Sequence, residues 1–196
     1  MQSKEDLVKE YIKQLHIKSS IISNIVIGII GLPGSGKSTV AAKLAERTGL
    51  LVVSNDNIRR FLNTHGYPGA NPGQETVEFI SEARTEYLLR HGVSHIIDAD
   101  LTGHIDDARS RAQKYDFNLV LVKVECPEEI ILDRITKRLI DGKSESQANI
   151  ETYHSRVKFQ NNHMSKQHDF LAIIDTSRDI DIQVDRLSHN LLERKQ

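Results

Sequence analysis

Six consecutive apolar residues, Ile25 to Ile30, run from polar Ser23-Asn24 straight into the loop GLPGSGKS. A stretch that is apolar on both faces predicts a central strand of a parallel sheet, covered on either side. Similar runs recur at Leu50–Ser54 (LLVVS), Ser94–Asp98 (SHIID), Asn118–Glu125 (NLVLVKVE) and FLAIIDT from Phe170. Between them the apolar positions switch to helical spacing. STVAAKLAERTG predicts a helix stopped by Gly49, and Thr76, Phe79, Ile80, Ala83, Tyr87 and Leu88 mark another that ends near Gly92. DDARSRAQKY predicts a short helix. PEEIILDRITKRLI predicts one starting on Pro127, whose missing N–H is no loss at a helix start, and Ile182, Leu187, Leu191 and Leu192 mark the last. Ahead of them all, Leu7, Val8, Tyr11, Ile12 and Leu15 follow Ser3 and Asp6 at capping-box spacing. They predict an amphipathic helix within residues 1–20 that packs on the domain.

Strands alternating with helices predict an α/β fold around a parallel sheet, here one domain over residues 21–196. Composition agrees: 38% hydrophobic and 27% charged residues are ordinary for a globular protein, and a net charge of −1 supplies no global field toward nucleic acid or a membrane. The single Cys126 leaves no internal disulfide and fits a reducing compartment. The mixed-charge N-terminus is no signal peptide and no run is long and apolar enough to span a bilayer, so a cytoplasmic protein without a membrane partner is expected.

The loop between the first strand and the first long helix carries the chemistry. Gly31-Leu32-Pro33-Gly34-Ser35-Gly36-Lys37-Ser38 fits G-x-x-x-x-G-K-[ST] between a buried strand and a helix, as a phosphate loop requires. Its glycines let successive N–H groups turn inward around phosphate oxygens, and the positive end of the helix adds to the attraction. ATP is the expected ligand, held by Gly31, Pro33, Gly34, Ser35, Gly36, Lys37, Ser38 and Thr39. Lys37 would bridge the β- and γ-phosphates and the Ser38 hydroxyl would ligate Mg2+.

Residues beyond the loop point to phosphoryl transfer. VVSNDNIRR places Asp56 and Arg59 at the carboxyl end of the second strand, where parallel sheets hold ligands. A carboxylate there can take a proton from an acceptor hydroxyl and the cation can hold an anionic acceptor; equally, Ser54 or Asp56 would cap a short helix over Ile58–Leu62 with Arg59 in solvent. Asp98, closing the third strand, is placed to hold a magnesium-bound water or the acceptor. Arg134 and Arg138 are four apart, hence on one helix face, a pairing suited to phosphate oxygens. They precede a polar segment, about 139–168, expected to close as a helical lid. From Arg134 to His168 seven basic side chains face three acidic ones, and Tyr153 and Arg156 are candidates to touch a base or a phosphate. Tyr67, between Gly66 and Pro68, is expected to pack its own loop down. Zinc has no support: one cysteine, and His91 and His95 separated by the helix-ending Gly92.

Together GLPGSGKST, the D-x-x-R of Asp56 and Arg59, the acid Asp98 and the R-x-x-x-R of Arg134 and Arg138 resemble the polynucleotide-kinase-like branch of the phosphate-loop kinases, small ATP-binding kinases of AAA type, over about Ile25 to Asp175. The resemblance implies a three-layer phosphate-loop NTPase sandwich with five parallel strands in the order 2-3-1-4-5. It implies Asp56 as general base, Arg59 on an acceptor phosphate, and Arg134 and Arg138 acting with Lys37 on the donor. One departure stands out: Asp98-Ala99-Asp100-Leu101-Thr102 replaces the usual Asp-Ala-Thr-Asn or Asp-Thr-Asn. The expected acceptor is a hydroxyl of a small metabolite or nucleoside, ahead of a nucleic-acid 5′ end. A nucleotide switch acting through a partner ranks lower: Asp100-Leu-Thr-Gly103 spells D-x-x-G, but no Asn-Lys-x-Asp is present to read guanine.

Overall fold

The computed structural model of the chain describes residues 3–18, 20–66, 74–141, 149–163 and 168–193. Tyr67 and parts of the expected lid, 142–148 and 164–167, lie outside them. The strands are β1 (Ile25–Ile30), β2 (Leu51–Ser54), β3 (His95–Asp98), β4 (Asn118–Glu125) and β5 (Phe170–Asp175). All pair in parallel in the order β2-β3-β1-β4-β5, as expected. β1 is the middle strand, and all six of its residues are buried.

The helices are α1 (Lys4–Lys13), α2 (Lys37–Thr48), α3 (Asn55–Thr64), α4 (Gln74–Arg90), α5 (Ile105–Gln113), α6 (Glu128–Asp141), α7 (Ile150–His163) and α8 (Ile180–Glu193). On one face of the sheet Val40, Ala41 and Leu44 of α2 and Val184, Leu187 and Leu191 of α8 close over Ile27, Ile29, Ile96, Val122 and Ile174. On the other, Leu88 and Leu89 of α4 and Ile105 and Ala112 of α5 close over Val26, Ile30, Val53, Ile97, Leu119 and Leu121. Each buried aliphatic side chain contributes about 1.5–3 kcal/mol, so these two clusters dominate the folding free energy.

Two expectations need correction. The helix after β2 is not confined to Ile58–Leu62; it begins at Asn55, because the Ser54 hydroxyl accepts from Asn57 N at 3.1 Å and satisfies an N-terminal donor. In α4 the inward stripe is Val77, Ile80, Arg84 and Leu88, while Phe79 is exposed. The stripe is turned because α4 faces α1 and α3 as well as the sheet: Leu7 and Tyr11 of α1 pack with Ile58, Phe61, Leu62, Val77 and Ile80. The Tyr11 ring meets Phe61 edge-on at 5.2 Å.

Candidate functional site

β1 delivers the loop 31–36 to the carboxyl edge of the sheet, and α2 leaves it. Gly34 and Gly36 take left-handed angles (φ +82° and +98°), which other residues resist. Close approach excludes a side chain at Gly31, where a Cβ would stand 2.5 Å from the Val124 carbonyl oxygen. The first turn of α2 has neither a side-chain cap nor an acidic residue, so its amides and its positive end are left to the loop. Ser38 and Thr39 are exposed there, and Pro33 is half-buried. This cradle, rich in unclaimed N–H donors, fits a polyphosphate.

Lys37 is the centre of charge. Its Nζ donates to the carbonyls of Gly31 (2.8 Å) and Leu32 (3.0 Å), which holds it over the loop. Burial pulls its ammonium below the ordinary lysine value; the carboxylates of Asp100, Asp98 and Asp56 work against that, and Arg138 works with it. Four charged side chains from three different elements and one loop therefore converge on Lys37.

Each carboxylate has a local reason for its position. Asp56 is the second residue of α3, and Arg59, one turn on, binds its Oδ1 at 2.7 Å. Ser54, which caps that helix, lies opposite Asp98 in the β2–β3 ladder, so the capped turn and the end of β3 are in register. Asp98 is pushed above the usual carboxylate range, chiefly by burial; the Ser38 hydroxyl hydrogen-bonds to it and Lys37 draws it back, while Asp56 adds to the rise. The Ser38–Asp98 pair is the hydroxyl-and-carboxylate set that suits an oxygen-preferring divalent cation such as Mg2+. Among the described residues no group of three or more His, Cys, Asp or Glu is placed to hold a metal.

Asp100 was not among the residues picked out of the sequence for the site. Its Oδ1 accepts from Thr102 N (3.0 Å) and Thr102 Oγ1 (2.6 Å). Its buried Oδ2 has no hydrogen-bond partner, and Arg156 Nη1 of α7 stands 4.0 Å away. The only hint in the text was the departure at this point, an acid two residues after Asp98. Between them and Thr102, Leu101 drops onto Gly28 in the middle of β1, where a Cβ would come within 2.6 Å of the leucine side chain. That bare spot in the strand anchors the loop.

The two arginines of α6 part company. Arg138 lies within electrostatic reach of Lys37. Arg134 is half-buried and donates to Thr176 Oγ1 and Thr176 O (both 2.9 Å) and, more weakly, to Gly34 O (3.4 Å). Thr176 Oγ1 in turn donates to Ser35 O at 2.6 Å, so Arg134 clasps the loop to the end of β5. No local sequence signal marks Thr176 for this role. Tyr153 turns inward, packed with Ile131 and Ile135, which corrects its assignment to a base or a phosphate. Beside the loop, between β4, β5 and α7, a cavity of about 640 Å3 is lined by Leu32, Ser35, Cys126, Gln160 and His168; none of Lys37, Asp56, Asp98 or Arg138 lines it.

Comparison with known proteins follows the same outline. An uncharacterised protein of Mycobacterium tuberculosis is 29% identical over 148 residues, 69% of this chain, and the chain spans 29% of that protein's length. The adenylate kinase of Erythrobacter litoralis is 31% identical over 156 residues, covering 69% of this chain and 66% of the enzyme. Among solved structures, a putative kinase from Chloroflexus aurantiacus superposes with a TM-score of 0.63 at 15% identity, covering 85% of this chain and 98% of that one. A family model described as an AAA domain matches residues 26–159. With well over half its length inside that match, from β1 through most of α7, the chain belongs to the AAA domain family and has a phosphate-loop kinase fold.

Proposed function

We propose that the protein is an ATP-dependent phosphotransferase that moves the γ-phosphoryl group of ATP to a hydroxyl of a small molecule. One observation carries the reading: Asp56, Asp98, Asp100 and Arg138 gather around the loop lysine, Lys37. A nucleotide switch needs no carboxylate at the end of β2 to activate an acceptor, whereas a kinase does. The adenylate kinase relative supports the same class.

In this reading the loop amides and Lys37 hold the triphosphate, and Arg138 draws toward it as charge builds on the leaving oxygen. Asp56, oriented by Arg59, takes the proton of the acceptor hydroxyl; the acceptor oxygen bonds to the γ-phosphorus, the bond to the β-phosphate oxygen breaks, and ADP leaves. Ser38 would hold Mg2+ directly and Asp98 through water. An ion held there would supply positive charge against the triphosphate. Arg134, committed to Thr176 and Gly34, fixes the rim of the cradle.

Transfer of labelled phosphate from ATP to a panel of sugars, nucleosides, amino alcohols, oligonucleotides and tRNA tests this directly. Asp56→Asn is expected to keep ATP affinity within about twofold and to lose a hundredfold or more of turnover, since a positioned general base contributes about 10²–10⁴-fold. Unchanged turnover would remove Asp56 from the chemistry, and no MgATP binding at all would remove the kinase reading.

A further inference from the structure

Arg84 occupies a core position of α4 and is 1% exposed. A guanidinium stays charged at any working pH, and taking it out of water is costly unless it is well paired. Buried arginines are ordinarily matched by a carboxylate. Arg84 has none within ion-pair distance among the described residues; its acceptors are neutral. Nη1 donates to the Ser54 carbonyl at 3.0 Å and Nη2 to Ser81 Oγ at 3.0 Å. Nε has no partner, and the Tyr11 hydroxyl of α1 faces the group and steadies its charge.

The most telling of these bonds is the one to Ser54. That residue ends β2, lies opposite Asp98 in the ladder and caps α3, whose second residue is Asp56. A charged donor on its carbonyl fixes the peptide plane from which the first turn of α3 departs, and so the direction in which Asp56 points. From outside, α1 seals the arrangement: Leu7 and Tyr11 are buried with Ile58 and Phe61 of α3 and Ile80 of α4.

The geometry points to Arg84 as a positioning residue for the reaction: its buried guanidinium spans the Ser81 hydroxyl of α4 and the Ser54 carbonyl and so holds the α3 turn, with Asp56, against the end of β3, under a clamp supplied by α1. The inference rests on Asp56 being the base. It gives the N-terminal helix, which precedes the family match at residues 26–159, a part in catalysis without a contact to any reactant.

The test is a double-mutant cycle on the full chain, read as steady-state hydrolysis of MgATP with water as the phosphoryl acceptor. Arg84→Lys keeps the charge and loses the fork. It is expected to lower kcat about tenfold with the KM for ATP unchanged, since small displacements of a catalytic group cost one to two orders of magnitude. Placed in the Asp56→Asn background, the same change is expected to cost nothing further, because Arg84 acts through Asp56. An equal loss in both backgrounds, or none in either, overturns the proposal alone. Wild-type hydrolysis by Asp56→Asn overturns the base assignment and the proposal with it. Should Arg84→Lys fail to fold by circular dichroism, Tyr11→Phe goes through the same cycle. A kcat loss of about threefold confined to the Asp56 background supports the clamp, and an equal loss in both backgrounds overturns it.

Discussion

His95 offers a sharp test of the buried face around α4. It lies in β3, 0% exposed, paired in register with Val26 and Leu51. Nδ1 stands 2.9 Å from the Val93 carbonyl oxygen, which can only accept, so that nitrogen carries the proton and Nε2 is a bare acceptor without a partner. A second proton would put a charge with no acceptor in the core beside the Arg84 guanidinium. Burial above all, reinforced by Arg84 and only partly opposed by the Val93 bond, pushes the imidazole from 6.5 down to about 4. The sign follows: the unfolded chain takes up a proton near pH 6.5 that the folded chain refuses until about pH 4, so this contribution is complete above pH 6.5 and is lost as pH falls. Within that window the slope is about 1.4 kcal/mol per pH unit, so about 2 kcal/mol disappears between pH 6.5 and 5. Urea unfolding followed by circular dichroism at several pH values, for the wild type and for His95→Asn, isolates this contribution, because every other ionisable side chain is common to both. The wild type is expected to lose about 2 kcal/mol more than the variant over that range, with m-values unchanged. Parallel pH profiles, or a His95 ring resonance titrating near 6.5, would refute the argument.

Two substitutions probe the rim of the cradle. Gly34→Ala sets a Cβ in a left-handed residue, 3.0 Å from the Ile131 side chain and 3.1 Å from that of Ile135. A loss of about 1–3 kcal/mol in chemical denaturation is expected from strain plus displacement of α6, together with weaker MgATP binding by calorimetry; full affinity would show that the loop conformation is not what binds. Thr176→Val keeps the shape but strands the Ser35 carbonyl and one arm of Arg134. It is expected to cost about 1–3 kcal/mol of stability and to raise the KM for ATP, whereas an unchanged melting temperature would mean that the clasp contributes nothing.

Much of the scaffold was legible because local and global requirements coincide. Ile25–Ile30 could be read as a central strand from an unbroken apolar run, and Gly49 as the stop of α2 because glycine tolerates the left-handed angle that the structure then shows there (φ +71°). Asp56, Asp98, Lys37 and Arg138 were found by motif, and the fold brings the other three within electrostatic reach of Lys37. What escaped depends on contacts between distant segments. Arg134 looks like the twin of Arg138 on a helical wheel, but Thr176, forty-two positions on, supplies the acceptors that claim it. Arg84 has no place in the stripe of α4 read from the sequence, and is buried because α1 and α3 pack against that helix as well as the sheet. Asp100 reads as a departure from a motif; its orientation is set by the hydroxyl and amide of Thr102.

Gly28 and Leu101 lock together as peg and socket, although one belongs to the central strand and the other to the turn that bears Asp98 and Asp100. A side chain at position 28 would have to push the tip of Leu101 aside, so a change made in the middle of the sheet would be felt first in the turn that carries the two acids.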